Sequence, residues 1–171
     1  METWDAIRAR RAIRDYDTKP IAEPDLRRIL EAGRRAPSSS NDQRWDFVLI
    51  QERALLEQIS KVWQGAGHIA RAQAAVGLVA PFSDDVRLTA SINYDLGQAA
   101  MSMMIAAADL GIGSRTASVH DYELASETLG LPEDRRLTWL LGLGYPADRP
   151  LKPIQNPARR SFEEVVHRDR W

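Results

Sequence analysis

"LTASINYDLGQAAMSMMIAAADL", residues 88–110, is the stretch around which the rest of the chain must be arranged. Leu88, Ile92, Leu96, Ala99, Met103 and Ala107 recur at steps of three and four, which predicts one long helix. The flanks of that stripe also carry Ala, Met and Ile, so the helix is apolar nearly all round. Such a helix must be covered on more than one side, at the centre of a domain or against a second subunit. Gly111 and Gly113 end it. Its apolar run, residues 99–108, is too short to span a bilayer, which takes about 20 residues.

Outward from this helix, three segments read as strands: "WDFVLI" (45–50), "AAVGLVA" (74–80) and "LTWLLGLGY" (137–145). Five further helices are expected. A short one follows Thr3 as N-cap, with Asp5 in its first turn. The second spans 23–36 with Leu26, Ile29 and Leu30 on one face and is stopped by Pro37. The third spans 54–64 through Leu55, Leu56 and Ile59, and the fourth covers 122–129. Beyond residue 146 the chain is rich in proline and charge, which predicts an extended arm with a last short helix near 161–168. Strands and helices mix without a regular βαβ repeat, so a single α+β domain over 1–171 is expected, with a long buried central helix.

Composition removes several classes of function. Lys plus Arg total 23 against 24 for Asp plus Glu, a net charge of -1, without the basic excess of a nucleic-acid or membrane-surface protein. With no cysteine, the chain makes no disulfide, thiolate nucleophile, iron–sulfur cluster or cysteine zinc site. The charged, amphipathic start has no apolar h-region, so a cytoplasmic location is expected.

Few motifs carry chemistry. Gly65, Gly67 and Ala70 match G-x-G-x-x-A but follow a helix rather than a strand. Gly142, Gly144 and Ala147 do follow a strand, but Pro146 and the prolines after it cannot open the required helix. His68, His120 and His167 are scattered, and no G-x-S-x-G elbow is present. Two features stand out. "RARRAIRDY" (8–16) packs four arginines into seven positions, and on a helix Arg10 and Arg14 share a face while Arg8 and Arg11 fall elsewhere. A solvated basic face is the ordinary fate of such a run. Arginine's planar fork also matches phosphate, and Arg159 and Arg160 sit near the other end of the chain. "APSSSNDQRW" (36–45) is either an ordinary polar loop or one whose amides and hydroxyls recognise a heteroaromatic ring.

Together, "RARRAIRDY", "APSSSNDQRWDFVLI", "YDLGQAAMSMMIAAADLGIGS", "LGLGYPAD" and "NPARRSFEEVV" resemble, in order and spacing, the nitroreductase family of FMN-dependent oxidoreductases. The resemblance implies a homodimer with a central, mostly antiparallel sheet flanked by helices, FMN at the dimer interface, and a C-terminal arm (about 146–171) exchanged between subunits. It places Arg10 and Arg14 on the FMN phosphate or ribityl chain, with Arg11 adding a backbone contact and Ala12 standing where the family has serine. The loop motif falls on Pro37, Ser38, Ser39, Asn41, Gln43 and Trp45; Ser38, Ser39 and Asn41 then line the flavin pocket, and Arg44 replaces the usual proline. Ser118 and Val119 fall in a loop near flavin N5, and Arg159, with Arg160 beside it, reaches the phosphate from the arm. The flavin then carries the chemistry, with no dedicated catalytic residue and no metal. NADPH or NADH donates hydride in a ping-pong cycle, and a nitroaromatic, quinone or similar flat molecule accepts it. A specialised branch (dehalogenation or flavin use) and a flavin-binding protein without turnover are the alternatives.

Overall fold

The computed structural model describes all 171 residues. In chain order the regular elements are α1 (Thr3–Ala9), α2 (Glu23–Arg34), β1 (Asp46–Ile50), α3 (Arg53–Ile59), β2 (Ala74–Pro81), α4 (Val86–Asp109), β3 (Gly113–Ser118), α5 (Tyr122–Leu129), β4 (Arg135–Gly144) and α6 (Phe162–Val165). The four strands form one antiparallel sheet in the order β1-β2-β4-β3. Period-two alternation in β2 shows how it is covered on both faces. Ala74, Val76, Leu78 and Ala80 join the core under α2 and α4, with Leu26, Ile29, Leu96 and Met103. Ala75 and Val79 point the other way, into a second core with Leu56, Ile59, Ile69, Leu137 and Leu140. The domain therefore has three layers, helices on both sides of a buried sheet.

The long helix starts two residues before the expected 88–110, because Asp85 accepts hydrogen bonds from the N–H groups of Arg87 (2.8 Å) and Leu88 (3.3 Å). It ends in a Schellman turn: Gly111 takes φ of 73°, and Ile112 N–H donates to the Ala107 carbonyl at 2.8 Å. Its burial is one-sided within the chain. Ala90, Tyr94, Gly97 and Met101 form an exposed stripe at helical spacing, with Tyr94 72% exposed. The third helix is shorter than expected; after Ile59 the chain continues in 3-10 turns, including Gln64–Arg71.

Three expectations need correction. α1 ends at Ala9, so Arg10 to Tyr16 is not helical and Arg10 and Arg14 share no helix face. Sheet pairing outcompetes local helix formation there: Ala12 bridges Ser114 in parallel, and Tyr16 bridges Pro146. Thr3 is the first helical residue, and no side chain caps the helix. The third is a fourth strand, β3, in a segment too polar and glycine-rich to show alternation.

Glycines at the paired ends of β3 and β4 mark where that N-terminal segment crosses. A Cβ on Gly144 would lie 2.6 Å from the Tyr16 ring, and one on Gly113 would lie 2.6 Å from Ile13. Close approach of Tyr16 and Ile13, not a nucleotide turn, accounts for these positions. The arm then runs over the same region: Leu151 is buried with Ala9, Ile13 and Ala108, and Ile154 N–H donates to the Arg8 carbonyl. From residue 155 onward every residue is exposed, and Phe162 is 66% exposed. No helix is long and apolar enough to cross a membrane.

Candidate cofactor and substrate site

The arginines of the N-terminal segment divide by destination. Arg8 is engaged by the protein, donating to Gln155 Oε1 at 2.7 Å and pairing with Asp5, so it is not merely solvated. Arg11 donates to the Arg149 carbonyl at 3.1 Å, which fastens the segment to the arm. Arg10 and Arg14 make no ion pair or side-chain hydrogen bond with the protein, leaving both guanidinium forks available. Arg10 and Arg159 line one groove of about 680 Å³, together with Trp4, Ile7 and Met101. Residues 149 apart in the chain thus meet at the exposed stripe of α4. Arg14 does not line this groove; it lies near His68 and Arg71. Arg160 donates to the Glu164 carbonyl at 2.7 Å and serves the start of α6 instead.

His68 is a residue that motif reading passed over. It is 5% exposed, Nε2 lies 3.3 Å from the Arg115 carbonyl, and Nδ1 has no partner. Burial lowers its pKa below the ordinary value; the Gly65 carbonyl opposes this, and the charges of Arg14 and Arg71 add to it. Burial likewise raises the Tyr16 phenol, which donates to the Ile13 carbonyl at 3.0 Å.

The loop from Pro37 to Gln43 is tightly folded. Ser40, Asn41 and Gln43 hold φ of 52°, 58° and 49°, a conformation that costs a non-glycine residue on the order of 1 kcal/mol or more each. The loop keeps this shape because Asp95, 4% exposed on α4, accepts from Ser39 N–H with both carboxylate oxygens, at 3.2 and 3.1 Å. Ser38 Oγ accepts from Gln43 N–H, and Gln43 Nε2 donates to the Asn41 carbonyl. The Ser39 and Asn41 side chains remain exposed and free, and Gln43 borders a groove with Arg27 and Trp45. Asp95 was legible in principle, as a charge inside the apolar stripe Ile92, Leu96, Ala99.

Ser118 and Val119 are the end of β3 and the turn after it, rather than a free loop. With His120, Asn93 and Trp139 they line a cavity of about 290 Å³. The His120 ring stacks on Trp63, centroids 5.0 Å apart. Within one chain, then, the expected binding residues are spread over the Arg10–Arg159 groove, the 37–43 loop and the Ser118 cavity, with Arg14 apart from all three beside His68.

This arrangement lies in a chain whose sequence matches the nitroreductase family over residues 7–81 and 72–145. The protein belongs to that family. A relative from Archaeoglobus fulgidus, provisionally named an NADH dehydrogenase/NAD(P)H nitroreductase, is 31% identical over 174 residues, covering 96% of both chains. The FMN reductase [NAD(P)H] of Bacillus subtilis is 27% identical and aligns with 94% of this chain and 71% of its own length. In fold, the protein is similar to a crystal structure from Clostridium acetobutylicum provisionally named an NADH oxidase. The two have a TM-score of 0.86 at 23% identity, with 98% of this chain and 100% of that one covered. The α+β sandwich with a long central helix is therefore a nitroreductase fold.

Proposed function

We propose that this nitroreductase-family protein is an FMN-dependent oxidoreductase that takes electrons from NADH or NADPH and delivers them to a nitroaromatic, a quinone or a similar flat acceptor. The observation that carries the reading is the meeting of Arg10 and Arg159, unpaired by any carboxylate, on one groove from opposite ends of the chain. Bound FMN would supply two-electron hydride chemistry, serving the nicotinamide donor and then the acceptor in ping-pong order.

The chain's own residues do the binding. Arg10 and Arg159 would offer charge-assisted hydrogen bonds to a phosphate, and Arg14, outside their groove, would reach the ribityl chain. Arg11 holds the segment that presents them by its bond to Arg149. Ser38, Ser39 and Asn41 present hydroxyl and amide groups to the ring, with Pro37 and Gln43 closing the loop around them. Ser118 and Val119 border the ring edge, and Arg160 sets the course of the arm around Arg159. Ala12 supplies no hydroxyl, so the arginines carry more of the phosphate binding.

The separation of loop and groove within a subunit has a simple resolution: two copies complete one site. The exposed stripe on α4, with Trp4 and Ile7 beside it, is the contact, and residues 160–171, which bury nothing at home, cross to the partner while Arg159 stays with Arg10. The loop of one copy then faces the arginines of the other.

Purified protein should be yellow and bleach when NADPH or NADH is added without oxygen. Colourless protein that takes up no FMN from solution would refute the reading.

A further inference from the structure

We infer that the cavity beside Ser118 is a pocket for a flat aromatic carboxylate, with Arg136 holding the carboxylate. The inference rests on the oxidoreductase reading only in making this molecule an acceptor; the pocket itself is read from its walls.

The Arg136 guanidinium packs on two rings, its carbon 3.9 Å from the Phe82 centroid and 4.4 Å from that of Tyr122. Packing against two rings restrains the fork and leaves its N–H groups as the part that can bind. Nothing in the protein accepts from them. Arg135, next in the chain, takes both Asp46 and Asp134. Asp85 and Asp121, near the same rings in sequence, are used as the caps of α4 and α5. A half-buried cation held rigid and left without a counter-charge is a site for an anion.

The backbone is shaped to the same end. The register between β2 and β4 slips so that Leu78 faces Trp139 while Val79 faces Leu137, making Thr138 a bulge. In a regular strand, residues 136 and 139 would point to opposite faces. The extra residue brings Arg136 and Trp139 to the same face, toward Asn93 on α4, whose Oδ1 accepts from the Trp139 indole at 3.4 Å. The walls are thus aromatic and the single free charge is positive. At about 290 Å³ the space suits one or two fused rings, not a dinucleotide.

The test uses protein as purified, with benzoate and benzamide as probes that differ in charge but not in shape. Calorimetric titration should show benzoate binding at least tenfold more tightly than benzamide. Arg136→Gln should weaken benzoate by about ten- to a hundredfold, the usual scale of a charge-assisted hydrogen bond, and abolish the preference. Arg136→Lys keeps charge but loses the fork and should fall between. Thermal midpoints near that of the unaltered protein establish that each variant is folded. Equal binding of the two probes, no benzoate binding at millimolar concentration, or a preference that survives Arg136→Gln would overturn the proposal. A second arm compares NADPH-driven reduction of 4-nitrobenzoate and 4-nitrobenzamide. Arg136-dependent benzoate binding with neither compound reduced would count against the oxidoreductase reading and leave the pocket standing. Reduction of both with one efficiency, unmoved in ratio by Arg136→Gln, would do the reverse.

Discussion

Replacing Gly144 by alanine should damage stability and flavin binding together, because one contact underlies both. The new Cβ would sit 2.6, 2.8 and 2.9 Å from three carbons of Tyr16. Tyr16 has no easy retreat. Its hydroxyl is bonded to the Ile13 carbonyl, and the backbone on either side is pinned by Asp17 N–H to Tyr145 (2.8 Å) and Ala147 N–H to Asp15 (3.1 Å). Overpacking of this kind costs about 1–3 kcal/mol. For a chain of this size each kcal/mol lowers the melting midpoint by about 2–4 °C, so a fall of about 2–12 °C is expected. Relief requires moving the segment that carries Arg14, so FMN affinity should drop as well. Gly67→Ala is the control: no atom lies within 4 Å of its Cβ and its φ is not positive, so the midpoint should stay within about 2 °C. Combining Gly144→Ala with Tyr16→Ala should cost less than the sum of the two, since Tyr16→Ala removes the ring that the new methyl group meets. Thermal unfolding followed by circular dichroism, with flavin fluorescence titrated in parallel, reads every arm. A Gly144→Ala protein that melts with the parent and binds FMN equally well would show that Tyr16 does not cross the sheet there.

Arg10→Ala and Arg159→Ala should each weaken FMN binding by about ten- to a hundredfold, the loss of one charge-assisted contact, when flavin fluorescence quenching is titrated. Unchanged affinity in both would return these side chains to a solvated basic surface. Because burial lowers the folded-state pKa of His68 from 6.5, the unfolded chain takes up its proton first as pH falls. Stability from this group is therefore complete above about pH 6.5 and is lost as pH drops through the lowered value. Urea midpoints measured from pH 8 to 5 should show that slope, and His68→Gln should flatten it. Tyr94→Glu places a charge on the exposed stripe of α4 and should convert a dimer into monomers in sedimentation velocity at micromolar concentration. A variant that sediments unchanged would place the contact elsewhere.

Periodicity made most of the framework readable. α4 announced itself because a long apolar pattern at helical spacing has no alternative burial, and "AAVGLVA" and "LTWLLGLGY" are runs long and branched enough for strands only. β3 was hidden because "GSRTAS" has no apolar alternation of its own. It is a strand because β4 pairs along one side of it and Ala12 bridges the other. The same pairing explains the arginines: local sequence favours a helix through residue 16, but a helix would forfeit the bridges at Ser114 and Pro146.

By itself, then, the sequence determined the layers, the central helix, the order of its motifs and the chemical kinds of group at hand: several arginines, a polar loop and no thiol. These follow from periods of two and 3.6 and from residue chemistry, both local. Which groups meet was decided only by tertiary structure. Arg10 reaches Arg159 across the length of the chain, Asp95 is spent on the backbone of Ser39, and Arg136 turns toward Trp139 because one residue bulges between them. Those outcomes depend on long-range pairing and on which donors lack acceptors once the chain has folded, and no window of sequence contains that information.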